Sequence, residues 1–271
     1  MTLDKFIELF PTPKPLIGMI HVQALPGTPN NHLSVKEIAS QAVKEARVLS
    51  ENGMQSIMLE NMHDIPYLNR DVGPEIVAAL SRIASEVRTV TDLPLGLQIL
   101  AGANQAALAV ALAAELQYIR AEGFVFGHMA DEGLLQSDAG TLLRFRKNIG
   151  AEHIQIFTDI KKKHSSHALT SDVSIQDTVE AAEFFLSDGV IITGTQTGKP
   201  VNQKELTDVY SSAKLAVLVG SGVTPEGLPL IWNHADAFIV GSYFKQKGDW
   251  QNEPDPKRIQ ALTEARSALL K

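Results

Sequence analysis

Leu215-Ala216-Val217-Leu218-Val219-Gly220-Ser221-Gly222-Val223-Thr224-Pro225-Glu226 leaves an apolar run through glycine and serine, and Ala237-Phe238-Ile239-Val240-Gly241-Ser242 repeats that exit one unit later. The strands read here are Leu215–Gly220 and Ala237–Gly241. Moving outward, the same short β-branched run recurs at Leu16–Val22, Gln55–Glu60, Leu95–Leu100, Gln117–Glu122, Ile154–Asp159 and Gly189–Thr193, making eight. These runs are continuously apolar rather than alternating, as expected of parallel strands covered on both faces.

Amphipathic stretches fill the gaps. Ser34 with Glu37 forms a capping box for a helix that ends before Gly53. From Gly73 to Val90, Ile76, Leu80, Ile83 and Val87 fall at helical spacing. Asn104 is read as the cap of an alanine-rich helix through Ala114, and Ser137 or Asp138 opens one that closes at Gly150. Ser174 and Asp177 start a helix to Ser187, Thr224-Pro225 is read as N-cap and first helical position, and Ile259–Leu270 closes the chain. Eight strands alternating with about eight helices predict an α/β (β/α)8 TIM barrel spanning residues 1–271 as one domain. A doubly wound open sheet is the other α/β arrangement, but near-even repeats need no topological switch.

Composition narrows the function. The 271 residues carry a net charge of −7 with both signs dispersed, which speaks against a nucleic-acid footprint. With no cysteine there is no disulfide scaffold, thiolate metal site or cysteine nucleophile. No apolar run reaches the ~18 residues of a membrane span, and residues 1–15 lack a signal peptide's apolar stretch. The expectation is a cytoplasmic protein without an integral membrane segment, and barrels of this kind often pair into homo-oligomers.

A barrel's active site lies where its strands stop. Strand one ends at His21, strand two at Glu60-Asn61, and Gln98 lies near the end of strand three. Arg120 and Glu122 end strand four, Asp159 ends strand five with Lys161 just beyond, and Thr193-Gly194-Thr195 ends strand six. The turns Gly220-Ser221-Gly222 and Gly241-Ser242 allow close backbone approach to an anion, at the strands where barrels often bind phosphate. Tight βα turns also favour Gly and Ser for their own sake.

Each polar strand end has a structural alternative. His21 is either functional or a satisfied histidine under the rim; Glu60 either faces the mouth or pairs with Arg120. Lys161 is two residues from Asp159 and is either a base or Schiff-base amine or the start of a solvated run, Lys161-Lys162-Lys163. His164 and His167 are weak evidence for a divalent metal, so no metal or other cofactor is assigned. GxGxxG, P-loop and HExxH motifs are absent.

The segment from Ile17-Gly18-Met19-Ile20-His21 to Pro29 resembles the opening of the BtpA family (the SgcQ-like proteins). The likeness continues in order through Leu59–Met62, Tyr118–Glu122, Asp131-Glu132-Gly133-Leu134, Asp159–His164, Thr193–Gly198, Gly220–Val223 and Ile239–Lys245. It implies a barrel related to the ribulose-phosphate-binding group. The family takes its name from a membrane-associated protein needed for photosystem I accumulation in cyanobacteria, while other members look like enzymes of sugar metabolism. Two loops depart from the family pattern: Leu100–Asn104 lacks an Asn-Asp pair, and Arg120-Ala121-Glu122 replaces Arg-Val-Asn.

The resulting expectation is an enzyme acting on a phosphorylated small molecule, a sugar or nucleoside phosphate. His21, Glu60, Asp159 and Lys161 are its candidate catalytic groups. Asn61, Gln98, Arg120, Glu122, Thr195, Gly220, Ser221, Gly222, Gly241 and Ser242 are its candidate substrate contacts. Isomerisation, aldol-type cleavage and glycosidic cleavage all fit these groups. The alternatives are a non-catalytic assembly or stabilisation factor, and a sensor that binds a phosphometabolite without turnover.

Overall fold

The computed structural model describes residues 2–162, 164–194 and 200–271. Its barrel strands are β1 (Leu16–His21), β2 (Ser56–Glu60), β3 (Leu95–Gln98), β4 (Tyr118–Ala121), β7 (Gln155–Ile160), β9 (Gly189–Ile192), β10 (Ala216–Val219) and β11 (Ala237–Val240). They close in the order β1-β11-β10-β9-β7-β4-β3-β2, every pair parallel. Three short strands, β5 (His128–Ala130), β6 (Gly133–Leu135) and β8 (Ser165–Ser166), form a separate antiparallel sheet in the loops after β4 and β7.

The intervening helices are α2 (Val35–Glu51), α3 (Pro74–Arg88), α4 (Asn104–Ala113), α5 (Ala139–Asn148), α6 (Ile175–Phe184), α7 (Gln203–Ser212), the short α8 (Leu228–Ile231) and α9 (Pro256–Leu269); α1 (Thr2–Leu9) precedes the barrel. Reciprocal capping boxes fix the starts of α2 (Ser34 with Glu37) and α6 (Ser174 with Asp177). Helix α3 buries Ile76, Leu80, Ile83 and Val87, the stripe its period predicts.

Strand alternation divides the core in two. Outward residues such as Leu16, Ile20, Ile57 and Leu59 pack under the helices. Inward residues Ile17, Met19, Met58, Tyr118, Phe157, Ile191, Leu218 and Ile239 fill the barrel. Phe6 of α1 and Phe10 plug the lower end, their rings 6.1 Å and 5.7 Å from those of Phe157 and Tyr118 respectively. At Gly96 a Cβ would stand 2.1 Å from the Tyr118 ring, so that inward position must be glycine.

Two helix starts differ from expectation. Asn104 opens α4 without capping it: its amide accepts from the Glu122 N–H and donates to the Glu122 carbonyl and to Asp138, tying β4 to the start of α5. Thr224-Pro225 does not begin a helix. The Thr224 hydroxyl instead accepts from the Gly227 N–H at 3.1 Å, and α8 starts at Leu228 with only four residues. Proline fits a turn's second position as readily as a helix's first. The β5–β6 hairpin was not anticipated either: three-residue strands carry too little alternation to read, though Gly133, at φ +103°, makes its turn.

Candidate functional site

One further inward step along each strand reaches the barrel mouth. After Met19 comes His21, after Met58 Glu60, after Tyr118 Arg120, after Phe157 Asp159, after Leu218 Gly220 and after Ile239 Gly241. The register places His21 beside Glu60 and Glu60 beside Gln98, so three neighbouring strands present their polar ends at one level.

Two adjoining cavities form the mouth. The first, of about 210 Å³, is lined by His21, Glu60, Arg120, both glycine turns with Ser221 and Ser242, and Arg258. The second, of about 220 Å³, shares Glu60, Met62 and Arg120 and adds Tyr67, Gln98, Glu122, Asp131, Glu132, Lys162 and His164.

The turns are tight enough to favour glycine. Gly222 has φ +68°, a Cβ at Gly220 would lie 2.6 Å from Ile191, and one at Gly241 would lie 3.1 Å from His21 Nε2. Helix α8, with only four residues, brings little helix dipole to this lobe, whose lining includes the cations Arg120 and Arg258 and the carboxylate of Glu60. Arg258 reaches the cavity from the first turn of α9, held over the Tyr243 ring at 4.6 Å and donating to the Tyr243 carbonyl.

His21 Nδ1 lies 3.0 Å from the Trp250 carbonyl oxygen, which can only accept, so Nδ1 carries a hydrogen. The exchangeable site is then Nε2, which faces Glu60 Oε2 at 3.7 Å. Arg120 meets Asp159 through two hydrogen bonds of 2.8 Å, with the Asp159 side chain fully buried. Burial works against the Arg120 charge, but Asp159 and then Glu60 and Glu122 hold its pKa above the ordinary guanidinium range.

Several candidates take a different place from the one their spacing suggested. Asn61, one residue out of phase with Glu60, donates to Asp64 and accepts from the Leu100 N–H; it fixes loops and does not line the mouth. Asp159 accepts both hydrogen bonds from Arg120 and thereby orients that guanidinium. Lys161 donates to the Val173 carbonyl and lines a small neighbouring cavity with His128 and His167. The mouth lysine is Lys162, 3.1 Å from Glu122 and 3.7 Å from Glu132. Burial opposes its charge, but those two carboxylates raise its pKa above the usual value. Glu122 also accepts from Gln98 Nε2 at 3.1 Å. Thr195 lies outside the described residues.

The sites missed in the sequence are Lys162, one step beyond Lys161, and, from other segments, Arg258, the Trp250 carbonyl and Arg70. Arg70 donates to the Gly102, Gly123 and Gln136 carbonyls and pairs with Asp138, fastening the loops around the mouth. The Asp131-Glu132 pair sits at the turn of the β5–β6 hairpin, where it reaches the second cavity.

A closed parallel barrel with a polar mouth defines the broad class, a TIM barrel. The solved structures agree: the chain superposes on thiamine phosphate pyrophosphorylase from Pyrococcus furiosus with a TM-score of 0.60 at 12% identity, covering 95% of this chain and 97% of that one. It also superposes on N-(5'-phosphoribosyl)anthranilate isomerase from Pyrococcus furiosus with a TM-score of 0.57 at 12% identity, covering 94% and 99%. More specifically, the BtpA family profile matches residues 12–268, and the chain belongs to the BtpA family. It is 45% identical over 258 residues to an uncharacterised mitochondrial protein of Caenorhabditis elegans, covering 93% of each chain. It is 29% identical to the photosystem I biogenesis protein BtpA of Synechocystis, covering 99% of this chain and 93% of that one. Among the described residues no helix is long and apolar enough to cross a membrane.

Proposed function

We propose that the mouth binds a phosphorylated small molecule and transforms it by general acid/base chemistry. The observation that carries this reading is the continuity of the first cavity, which joins the two glycine turns and Arg258 to His21 and Glu60. The phosphate sits against the Gly220–Gly222 and Gly241-Ser242 turns beside Arg258. His21 Nε2 exchanges a proton with the bound molecule, and the Glu60 carboxylate beside it stabilises the imidazolium or takes the proton in turn. Arg120, fixed by Asp159, offers its remaining N–H groups to an oxyanion. Support from the fold is general: two of the solved barrels it resembles have phosphorylated compounds in their names.

The test is turnover of a panel of sugar and nucleoside phosphates by the purified protein, repeated with His21→Gln and Glu60→Gln. Loss of a detected activity in both variants supports the reading. Unchanged turnover in both would sink it.

A non-catalytic role in assembling or stabilising a partner is the second reading, favoured by one observation. Phe184-Phe185-Leu186, at the end of α6, leaves Phe184 81% and Leu186 68% exposed. On this reading Phe184→Ser abolishes the cellular phenotype of the protein while His21→Gln does not; the reverse pattern excludes it.

A further inference from the structure

The second cavity holds buried acceptors that no described residue answers. Gln98, 1% exposed, donates through Nε2 to Glu122, but its Oε1 has no hydrogen-bond partner among the described residues. Glu132 directs Oε1 toward Lys162, while its buried Oε2 is likewise unpartnered. Two of the neighbouring donors are engaged elsewhere: the Tyr67 hydroxyl donates to the Met62 carbonyl, and the Lys162 ammonium faces Glu122 and Glu132. A buried acceptor left without a donor carries an uncompensated desolvation penalty that a ligand's N–H or O–H removes.

Charge points the same way. The second cavity is lined by the carboxylates of Glu60, Glu122, Asp131 and Glu132 against the cations Arg120 and Lys162. Arg120 is further neutralised by Asp159. An additional anion there meets net repulsion, whereas hydroxyl or amino groups meet acceptors.

We infer that the second cavity receives the end of the ligand remote from its phosphate, and that this end is rich in hydroxyl or amino donors and carries no second negative charge. This rests on the phosphate reading of the first cavity. The two lobes share Glu60, Met62 and Arg120, so one molecule spans both, with its reacting carbon beside Glu60. The ligand class is a phosphomonoester of a polyol or amino polyol; bisphosphates and phosphorylated sugar acids are disfavoured.

Titration calorimetry with the full chain decides this, using inorganic phosphate and three esters of one chain length: a hexitol 6-phosphate and its counterparts whose far carbon is an aminomethyl or a carboxylate. The hydroxyl and amino esters are expected to bind about tenfold or more tightly than the carboxylate. Gln98→Leu and Glu132→Gln are each expected to narrow that gap. Equal binding of the three esters, or phosphate binding with no gain from any tail, overturns the inference and leaves the phosphate site standing. No binding of phosphate or of any ester overturns both.

Discussion

His21 Nδ1 donates to the backbone carbonyl of Trp250 across 3.0 Å, and that bond determines which ring nitrogen handles protons. The Trp250 ring also meets the imidazole edge-on, with centroids 5.8 Å apart, so the contact holds orientation as well as tautomer. Residue 250 lies on the segment between β11 and α9, and the first turn of α9 then brings Arg258 to the first cavity. The loop thereby orients the His21 imidazole and leads into the helix that carries Arg258 to the same cavity.

His21→Gln retains a hydrogen-bonding side chain but removes the exchangeable nitrogen, and is expected to lower kcat by about 10²–10⁴ with little change in Tm. Gly241→Ala is expected to lower it as well, because the added methyl stands 3.1 Å from Nε2. Steady-state kinetics beside thermal melts check both; a folded His21→Gln protein with full turnover contradicts the role.

The Arg120–Asp159 pair is buried and doubly hydrogen-bonded, so removing one partner strands a charge. Asp159→Ala is expected to cost about 3–5 kcal/mol of stability, and Arg120→Met with Asp159→Leu less than the two single changes together. Denaturant titrations measure this. Additive single and double changes would show that the two side chains are energetically independent.

Lys162 stays an ammonium between Glu122 and Glu132, and Lys161 is turned to the Val173 carbonyl, so neither is poised as an imine-forming amine. Borohydride in the presence of aldose or ketose phosphates should leave the protein mass unchanged. A reduced adduct mapped to either lysine refutes this.

Acidification tests the hairpin beside the mouth. Burial and then the Lys162 charge push His128 down to about 4, and its buried Nε2 has no partner. Between about pH 6.5 and 4 the unfolded chain binds a proton at this residue that the folded chain does not, so stability falls as pH drops through that window. His63, also lowered to about 4, acts in the same direction. Denaturant midpoints over this window should change less in His128→Gln than in wild type; parallel curves would assign the slope elsewhere.

The barrel was readable because its signal is repetitive: each apolar run ends in a polar or glycine position, and Met19-to-His21 or Met58-to-Glu60 alternation sets which side chain turns inward. The same rule explains Asn61, whose odd step turns it toward Asp64 and Leu100. Beyond the strand ends alternation no longer applies. Lys161, with φ +47°, breaks the extended course, so the mouth position falls to Lys162. Arg258 and the Trp250 carbonyl belong to a segment whose return over the rim is a tertiary event without local pattern. Arg70 was hidden for the same reason: its partners lie 32 to 68 residues away in sequence.

The most direct test of a phosphate-binding mouth is a thermal-shift comparison of wild type, Gly222→Asp and Arg258→Met with inorganic phosphate and with sugar and nucleoside phosphates. Ligand that binds only the folded state raises Tm by mass action. The expected result is a Tm rise for wild type with selected phosphates, abolished by the carboxylate at position 222 and weakened by loss of the guanidinium at 258. A folded wild-type protein whose Tm ignores every phosphate, or a rise that persists undiminished in both variants, would contradict a phosphate site between the two glycine turns.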